Sequence, residues 1–248
     1  MTDGKIRLDQ ALVERGAFSS RARAQGAIKA GLVTVDGLAA GKPSQMVAAA
    51  SEIEIARDVY DFVSRGALKL DAALRAFEID ANGQACLDLG ASTGGFTEVL
   101  LRAGAKKIYA VDVGTGQLHS SLIDDPRVVN IEKTHAKDLS SALIPDPIEI
   151  IVCDVSFISL KKALPQALAL AAPSARLVAL IKPQFEMGPE KIGKGGIVKV
   201  SKDDYRALCD DMAGWLGDEG WRAIGVIESP IEGGDGNKEF LIGAIKKV

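Results

Sequence analysis

Four charged residues that lie far apart in the chain, Lys69, Asp154, Lys182 and Glu239, could meet to form a reactive site. Asp154 and Lys182 each end an apolar run, and Glu239 opens another. In an open α/β sheet the carboxyl ends of the strands, where Asp154 and Lys182 are expected, lie at the edge where ligands bind, and a charge buried there needs partners. Glu239 and Lys69 could complete the cluster. A lysine held among carboxylates can remove the proton of a hydroxyl group and make it a nucleophile. The four residues therefore predict a site where a hydroxyl group attacks an electrophile.

A second group of candidate residues forms a glycine-rich loop with an acidic partner. Residues 90–97 read Gly-Ala-Ser-Thr-Gly-Gly-Phe-Thr and follow an apolar run. Asp112 lies 24 residues after Asp88, and an acid at the end of the next strand can accept hydrogen bonds from both ribose hydroxyls of a nucleoside. The candidate cofactor contacts are Gly90, Ser92, Gly94, Gly95, Phe96, Thr97, Asp112 and Asp154.

The glycine spacing in this loop bears on the kind of cofactor. The loop lacks the G-x-G-x-x-G register that packs against the pyrophosphate of a dinucleotide. This spacing argues against a dinucleotide and leaves other nucleoside cofactors. The residues alone also leave open that Gly94 and Gly95 form only a structural turn.

Residues 83–248 alternate apolar runs with amphipathic helical patterns, which is typical of an open, mainly parallel sheet with helices on both faces. The fold class is therefore predicted to be α/β. A helix beginning near residues 64–67 carries Lys69. Strands are predicted at 85–89, 107–112, 128–132, 148–154, 177–182, 222–228 and 239–245.

The composition is that of a globular protein. The chain has 248 residues, 47% of them hydrophobic and 25% charged, and it contains no run of about 18 apolar residues that could span a membrane. The first residues have no apolar signal-peptide core, so we expect a cytoplasmic protein. The three cysteines lack metal-ligand spacing and are expected to be free thiols, and no metal site is predicted.

The amino-terminal segment has a charge opposite to that of the rest of the chain. The net charge is −3, but residues 5–45 carry seven Lys and Arg against three acids. The segment also predicts two helices followed by a small strand layer, with Arg21 and Arg23 at the start of the second helix. A basic α+β module on an acidic body indicates binding of a polyanion at one end, although a solvated charged face would also show this charge.

Motifs in this segment resemble the RNA-binding module named after ribosomal small-subunit protein four. They lie at residues 7–9, 20–21, 27–37 and 42–44. The resemblance implies recognition of structured RNA by shape and phosphate contact. The candidate RNA contacts are Arg7, Arg21, Arg23, Lys42 and Arg65. The expected organisation is an RNA-binding domain at 1–58, a linker at 59–65 and a catalytic domain at 66–248. Within the linker, Tyr60 and Phe62 are expected to pack against one domain or both.

The chain as a whole resembles the TlyA family, often labelled haemolysin A, whose catalytic half is similar to the FtsJ-type ribose 2′-O-methyltransferases. The motifs are residues 64–70, 90–97, 154–160 and 182–185. The resemblance implies a Rossmann-like seven-stranded domain that binds S-adenosylmethionine and a tetrad of Lys69, Asp154, Lys182 and Glu239. It also implies a cytidine in ribosomal RNA as substrate, within a ribosomal subunit. Residues 60–63 depart from the family pattern, and the absence of a long extension after Val248 matches the shorter form associated with the large subunit.

The mechanistic hypothesis assigns the general base to Lys182. Burial and the positive charge of Lys69 would favour the neutral amine of Lys182, while Asp154 and Glu239 orient the two lysines. Asp154 could also help to place a sulfonium group. A further segment with Lys191, Lys194 and Lys199 among three glycines could form a mobile basic lid over RNA or merely a flexible loop.

Three other functions are compatible with parts of the sequence. A cytolysin would need a route into the bilayer, and no spanning or strongly basic amphipathic segment is present. A non-catalytic RNA-binding factor could keep the fold, although the complete tetrad and loop argue against it. Methylation of a base would usually need a cysteine nucleophile or a polar loop that binds the base, and the sequence shows neither pattern. The sequence does not indicate an oligomeric state.

Overall fold

The computed structural model of the protein describes residues 5–18, 21–29, 31–55, 62–233 and 236–247, apart from the side chains of Arg23 and Lys194. Residues 59–61 of the predicted linker, which include Tyr60, lie outside these residues, as do Ser19 and Ser20 before the second helix. The chain divides into two compact units, Met1–Phe62 and Val63–Val248.

The first unit combines two helices with short strands. Its elements are β1 (Ile6–Arg7), α1 (Leu8–Glu14), α2 (Arg21–Lys29), β2 (Val33–Val35), β3 (Leu38–Ala39), β4 (Met46–Val47) and β5 (Ile53–Ile55). Strands β1 and β4 form an antiparallel pair, and β3, β2 and β5 form an antiparallel sheet in that order. The predicted tight turn at Asp36 and Gly37 joins β2 to β3, and both residues have positive φ, as a two-residue hairpin turn requires.

A buried acid organises the charged side of this unit. Asp9 is fully buried, and its carboxylate accepts two hydrogen bonds from Arg7 at 2.9 Å, one from Arg21 at 3.1 Å and one from Gln25 at 2.7 Å. The Arg7 guanidinium holds the pKa of Asp9 well below its usual range, although burial opposes this shift. Arg7 and Arg21 are thus anchored to the unit while their side chains stay 40% and 53% exposed.

The second unit is built on one seven-stranded sheet. The elements that form it and cover it are α3 (Ala67–Ala76), β6 (Ala85–Leu89), α4 (Gly95–Arg102), β7 (Lys107–Val111), α5 (Ser120–Ile123), β8 (Val128–Ile131), β9 (Ile148–Cys153), α6 (Leu160–Ala163), α7 (Pro165–Ala169), β10 (Ala171–Ile181), α8 (Pro183–Glu186), α9 (Lys202–Asp218), β11 (Trp221–Glu228) and β12 (Phe240–Lys246). The strand order is β11-β12-β10-β9-β6-β7-β8. Strand β12 runs antiparallel to both of its neighbours, and the pairs from β10 to β8 are parallel.

The strands are explained by their apolar side chains. Every residue of β6 is buried, and most of β9, β10 and β12 is buried as well, as expected for a sheet covered on both faces. Helix α9 begins at a capping box, in which Ser201 and Asp204 satisfy each other's backbone N–H groups. The predicted α/β fold class is confirmed.

One strand is longer than the sequence pattern predicts. Strand β10 begins at Ala171, whereas a start at residue 177 was expected from the apolar run. Pro173 and Ser174 interrupt that run, and the pairing with β9 shifts register between Ala171 and Arg176. Ser174 has φ of +61°. This β-bulge-like irregularity allows residues 171–176 to belong to the strand although their sequence lacks the apolar pattern of a strand.

Within the residues that the structure describes, no helix is both long and apolar enough to cross a membrane.

Candidate active site

The register of the central strands brings three of the four candidate catalytic residues to one edge of the sheet. Ile181 of β10 pairs with Phe240 of β12, so Lys182 and Glu239 occupy the next positions beyond this antiparallel pair. Cys153 of β9 pairs with Ala179, which places Asp154 just beyond the end of β9, next to Lys182. The edge contains the carboxyl ends of the parallel strands, where ligands bind in such sheets.

The four residues form two buried ion pairs. Lys69 Nζ on α3 lies 2.6 Å from Glu239 Oε2, and Lys182 Nζ lies 2.6 Å from Asp154 Oδ1. The lysine side chains are each 9% exposed, whereas their partners Glu239 and Asp154 are 3% and 21% exposed. Each buried lysine therefore has its own carboxylate, which offsets the cost of removing the charge from water.

Lys182 has a second partner that fixes its direction. Its Nζ donates a hydrogen bond of 2.8 Å to Ser156 Oγ, while the contact with Asp154 is an ion pair without hydrogen-bond geometry. Ser156 follows β9 directly and was not singled out by the sequence. The ammonium is therefore held between the ends of two adjacent strands, and these two contacts restrict the rotamers of the lysine side chain.

A cleft opens beside Lys182 and Asp154, and its wall is largely the glycine-rich loop. The residues that line it are Ser64, Gly66, Gly90, Ala91, Ser92, Thr93, Gly95, Phe96, Asp154, Ser156 and Lys182. The Asp154 carboxylate is partly exposed there, so the cleft suits a ligand with a positive centre. Most of the predicted loop contacts and the predicted Asp154 and Lys182 thus share one cleft.

Asp112 supports the loop from the end of β7. Its two carboxylate oxygens accept hydrogen bonds from the backbone N–H of Ser92 at 2.8 Å and of Gly114 at 2.7 Å. A carboxylate oxygen can accept more than one hydrogen bond, so Asp112 still has capacity for ribose hydroxyls. These contacts fit a nucleoside cofactor, and the role of Asp112 in binding it stays a prediction.

The glycines of the loop are required by neighbouring protein atoms. A Cβ atom on Gly94 would collide with the side chains of Leu118 and Leu122, and one on Gly95 would collide with Ser64. Gly90 has φ of +87°, and a Cβ there would lie 2.7 Å from the backbone oxygen of Asp154. The absence of side chains thus allows the loop to approach the segments that carry the reactive residues.

We expect Gly90→Ala to destabilise the second unit by about 2 kcal/mol or more, since positive φ and a backbone collision both oppose the added methyl group. Urea unfolding measures this loss. The matched control is Gly214→Ala in α9, where an added Cβ meets nothing within 4 Å and alanine should be neutral or stabilising by up to about 1 kcal/mol. Equal stability of Gly90→Ala and the unaltered protein would contradict the packing account.

Two of the predicted cofactor contacts are almost completely buried, and one of them has another role in the structure. Thr97 is fully buried and its Oγ1 donates a hydrogen bond of 2.6 Å to Asp88 Oδ2. Phe96 lines the cleft, although only 4% of it is exposed. Thr97 therefore supports β6 from within, and its contact with a cofactor has no support from this geometry.

Asp88 is a buried acid that the sequence analysis did not assign to the site. It is fully buried, and its Oδ1 has no hydrogen-bond partner among the described residues. Burial raises the pKa of Asp88 to about 7, the hydrogen bond from Thr97 opposes this shift, and the charges of Asp154 and Asp112 add to it. Its only sequence signal was its place at the end of an apolar strand.

The raised pKa of Asp88 predicts a pH-dependent stability. Between pH of about 4 and about 7 the folded state binds a proton that the unfolded state has released, so the contribution of Asp88 to stability falls as pH rises. With a shift from 3.8 to about 7, the loss is on the order of 4 kcal/mol above pH of about 7. Asp88→Asn should remove this slope and be more stable than the unaltered protein at pH of about 8.

Urea unfolding at pH of about 5 and about 8 measures how the free energy of unfolding changes with pH in the unaltered protein and in Asp88→Asn. Asp210→Asn is the control, because Asp210 is exposed on α9 and its replacement should leave the slope unchanged. A slope that persists in Asp88→Asn would assign the pH dependence to other groups.

An exposed aromatic residue beside the cleft was missed by the sequence analysis. Phe157 is 91% exposed, and its ring centroid lies 5.1 Å from that of Phe185. Its φ of +65° is unusual for a bulky residue and turns the chain sharply just after Ser156. Such strain in an exposed aromatic residue next to Ser156, which bonds the candidate Lys182, makes Phe157 a further candidate for the site.

The other candidate residues are more scattered. Arg65 and Lys42 are exposed, as binding residues would be. The lid segment folds back on itself, since Ile192 and Val198 form a β-bridge and Lys191 pairs with Asp204 at 3.2 Å. Its mobility is not tested by these contacts. Within the described residues, no group of three or more potential ligands is gathered for a metal ion.

Comparison with known proteins identifies both units. The model of the FtsJ-like methyltransferase family matches residues 62–246, and that of the S4 domain matches residues 6–53. The 16S/23S rRNA (cytidine-2′-O)-methyltransferase TlyA of Mycobacterium tuberculosis is 44% identical over 96% of this chain and 89% of its own length. The 23S rRNA (cytidine-2′-O)-methyltransferase TlyA of Campylobacter jejuni is 38% identical over 79% of this chain and 74% of its own length.

A solved structure agrees with these relatives. The protein from Streptococcus thermophilus, whose name places it among the hemolysins, has a TM-score of 0.74 and 36% identity, with 99% of this chain and 90% of that chain covered. The match therefore includes residues of both units. The chain therefore belongs to the TlyA family, in which an S4 domain precedes an FtsJ-like methyltransferase domain.

Proposed function

We propose that this protein transfers a methyl group from S-adenosylmethionine to the ribose 2′-hydroxyl of a cytidine in ribosomal RNA. The structural observation that carries the proposal is the pair of buried lysine–carboxylate contacts beside the glycine-loop cleft. Family membership supplies the reaction and the cofactor, and the geometry supplies the groups that could perform it.

The cleft residues fit the proposed cofactor. Bound S-adenosylmethionine supplies an electrophilic methyl group on a positively charged sulfur. Asp112 would accept hydrogen bonds from ribose hydroxyls, and the loop at residues 90–96 would follow the nucleoside closely. The partly exposed carboxylate of Asp154 would attract the positive centre.

Lys182 is the proposed general base. A ribose hydroxyl is a poor nucleophile at neutral pH and needs both alignment and removal of its proton. Asp154 and Ser156 hold Lys182 Nζ at the cleft. In its neutral form, Lys182 Nζ can accept the proton of the hydroxyl group. Glu239, just before β12, pairs with Lys69 on α3, which compensates the charge of that second lysine.

RNA binding is proposed to be shared by both units. We assign residues 1–58 to RNA recognition and residues 66–248 to catalysis. Arg7 and Arg21, held in place by Asp9, can present their remaining N–H groups to phosphates. Lys42, Arg23 and Arg65 are the other proposed contacts. In the catalytic unit, the exposed ring of Phe157 would stack on a base at the reaction site.

The proposed substrate is ribosomal RNA within a ribosomal subunit, which would place the protein in the cytoplasm. We favour the large subunit, because the names of both TlyA relatives include 23S rRNA. The test is transfer of radiolabelled methyl groups from S-adenosylmethionine to purified large subunits, small subunits and protein-free ribosomal RNA. Label on the large subunit supports the full proposal. Label on the small subunit alone would contradict the subunit preference, and label on no RNA would contradict the proposed reaction.

A further inference from the structure

A buried asparagine joins the candidate basic lid segment to the stretch of chain just before β12, which contains Glu239. Asn237 is only 2% exposed. Its Oδ1 accepts a hydrogen bond of 2.8 Å from the backbone N–H of Val198, and its Nδ2 donates one of 2.9 Å to the backbone oxygen of Gly196. Both polar atoms of one side chain are thus used to hold a segment about forty residues away in the chain.

The segment that Asn237 holds is a compact hairpin, which we define as residues 191–199. Within it, Gly193 donates its N–H to the oxygen of Ile197 at 2.8 Å, and Lys199 donates to the oxygen of Lys191 at 3.3 Å. Val198, near the end of the hairpin, is buried. The hairpin therefore has internal structure. Asn237 attaches it to the chain before β12, and Lys191 attaches it to Asp204 on α9.

Asn237 also belongs to the turn that positions Glu239. Its backbone oxygen accepts a hydrogen bond of 2.9 Å from Gly233, and the oxygen of Glu239 accepts one of 2.9 Å from Ser229. A Cβ atom on Gly233 would lie 2.5 Å from Glu239 Oε1, so the turn presses closely on the carboxylate. Because Asn237 and Glu239 are two residues apart, a shift of one moves the other.

We propose that Asn237 is a positioning residue that fixes the hairpin and the Lys69–Glu239 pair in a single geometry. The hairpin carries exposed lysines suited to RNA phosphates. RNA bound to the hairpin would therefore affect the position of Glu239 through this asparagine. The expected effect on catalysis rests on the proposed function. The expected effect on the hairpin and on the Lys69–Glu239 pair rests on the described contacts alone.

The test uses the full-length protein with Asn237→Ala and three readouts. Cleavage by trypsin after Lys191 or Lys199 should be about tenfold faster, since the hairpin loses both of its side-chain hydrogen bonds. Acetylation of Lys69, followed by mass spectrometry, should also become about tenfold faster as its pairing with Glu239 loosens. At saturating RNA, kcat should fall about tenfold or more, with KM for S-adenosylmethionine within about threefold.

Two further variants separate positioning from general damage. Lys238→Ala is the matched control, because Lys238 is the next residue, is half exposed and pairs only at the surface with Glu228. It should leave all three readouts unchanged. Gly233→Ala should lower kcat by crowding Glu239, and by the same coupling it should also speed cleavage of the hairpin.

The outcomes discriminate between the two proposals. Unchanged cleavage, or faster cleavage with unchanged acetylation of Lys69, would overturn the role of Asn237. Both rates raised together, in a protein whose unaltered form methylates no RNA, would support the positioning role and reject the proposed function.

Discussion

Lys182→Arg should lose at least about a thousandfold in kcat, although it keeps the positive charge. An arginine can still pair with Asp154, but its guanidinium does not release a proton in proteins and cannot act as a base. Lys182→Met should lose a similar amount, because it removes both the charge and the base. Binding of S-adenosylmethionine, measured by calorimetry, should stay within about fivefold in Lys182→Arg, since the loop and Asp112 are unchanged.

The comparison of the two variants decides what Lys182 does. If Lys182→Arg kept substantial activity while Lys182→Met did not, the lysine would act by its charge and the assignment as base would be wrong. Lys161→Arg is the control, because Lys161 is a lysine that is 36% exposed, pairs with Asp211 at 2.6 Å and does not line the cleft. Its replacement should leave kcat and KM unchanged.

Phe157→Ala should lower kcat/KM for RNA by roughly 5- to 150-fold, the range that corresponds to stacking of one base on an aromatic ring at about 1–3 kcal/mol. The ring is 91% exposed, so its removal should hardly change the free energy of unfolding. Phe157→Trp should retain most of the activity, because an indole also offers a flat face. The affinity for S-adenosylmethionine should not change.

The matched control for Phe157 is Leu143→Ala. Leu143 is another exposed apolar residue of the same unit, 43% exposed, but it does not line the cleft. Steady-state kinetics with RNA as the varied substrate give the comparison. An equal effect of both substitutions would show that Phe157 contributes only apolar surface.

Much of the catalytic unit could be predicted because its sheet is covered on both faces. Buried parallel strands read as apolar runs, and the charged residue that ends such a run must lie at the ligand edge. This is why Asp154 and Lys182 could be placed together from the sequence. Glu239 directly precedes β12 and lies at the same edge only because β12 runs antiparallel to β10. The predicted, mainly parallel sheet did not specify that direction.

Other features depend on contacts that no local pattern encodes. Asp88 lies inside an apolar strand, and only the fold shows that Thr97 is its partner and that one of its oxygens has none. Asn237 reads as an ordinary turn residue, whereas its function as a clamp depends on a hairpin about forty residues before it. Phe157 reads as a core aromatic residue, and its exposure follows from the positive φ that turns it outward.

The glycines of the glycine-rich loop have a structural role that the sequence pattern does not show. Glycine in such a loop allows the backbone to approach a ligand closely. In the structure, a side chain at Gly90, Gly94 or Gly95 would also collide with neighbouring segments of the protein. Sequence spacing identifies such a loop, but the atoms that demand each glycine are known only once the fold brings them near.

The central claim is methylation of a ribose hydroxyl, and its most direct test is identification of the product nucleoside. Ribosomal RNA from large subunits, treated with the protein and S-adenosylmethionine, would be digested to nucleosides and analysed by mass spectrometry. We predict 2′-O-methylcytidine that is absent when the Lys182→Arg variant is used. A methyl group on the cytosine base, or on the ribose of another nucleoside, would contradict the account.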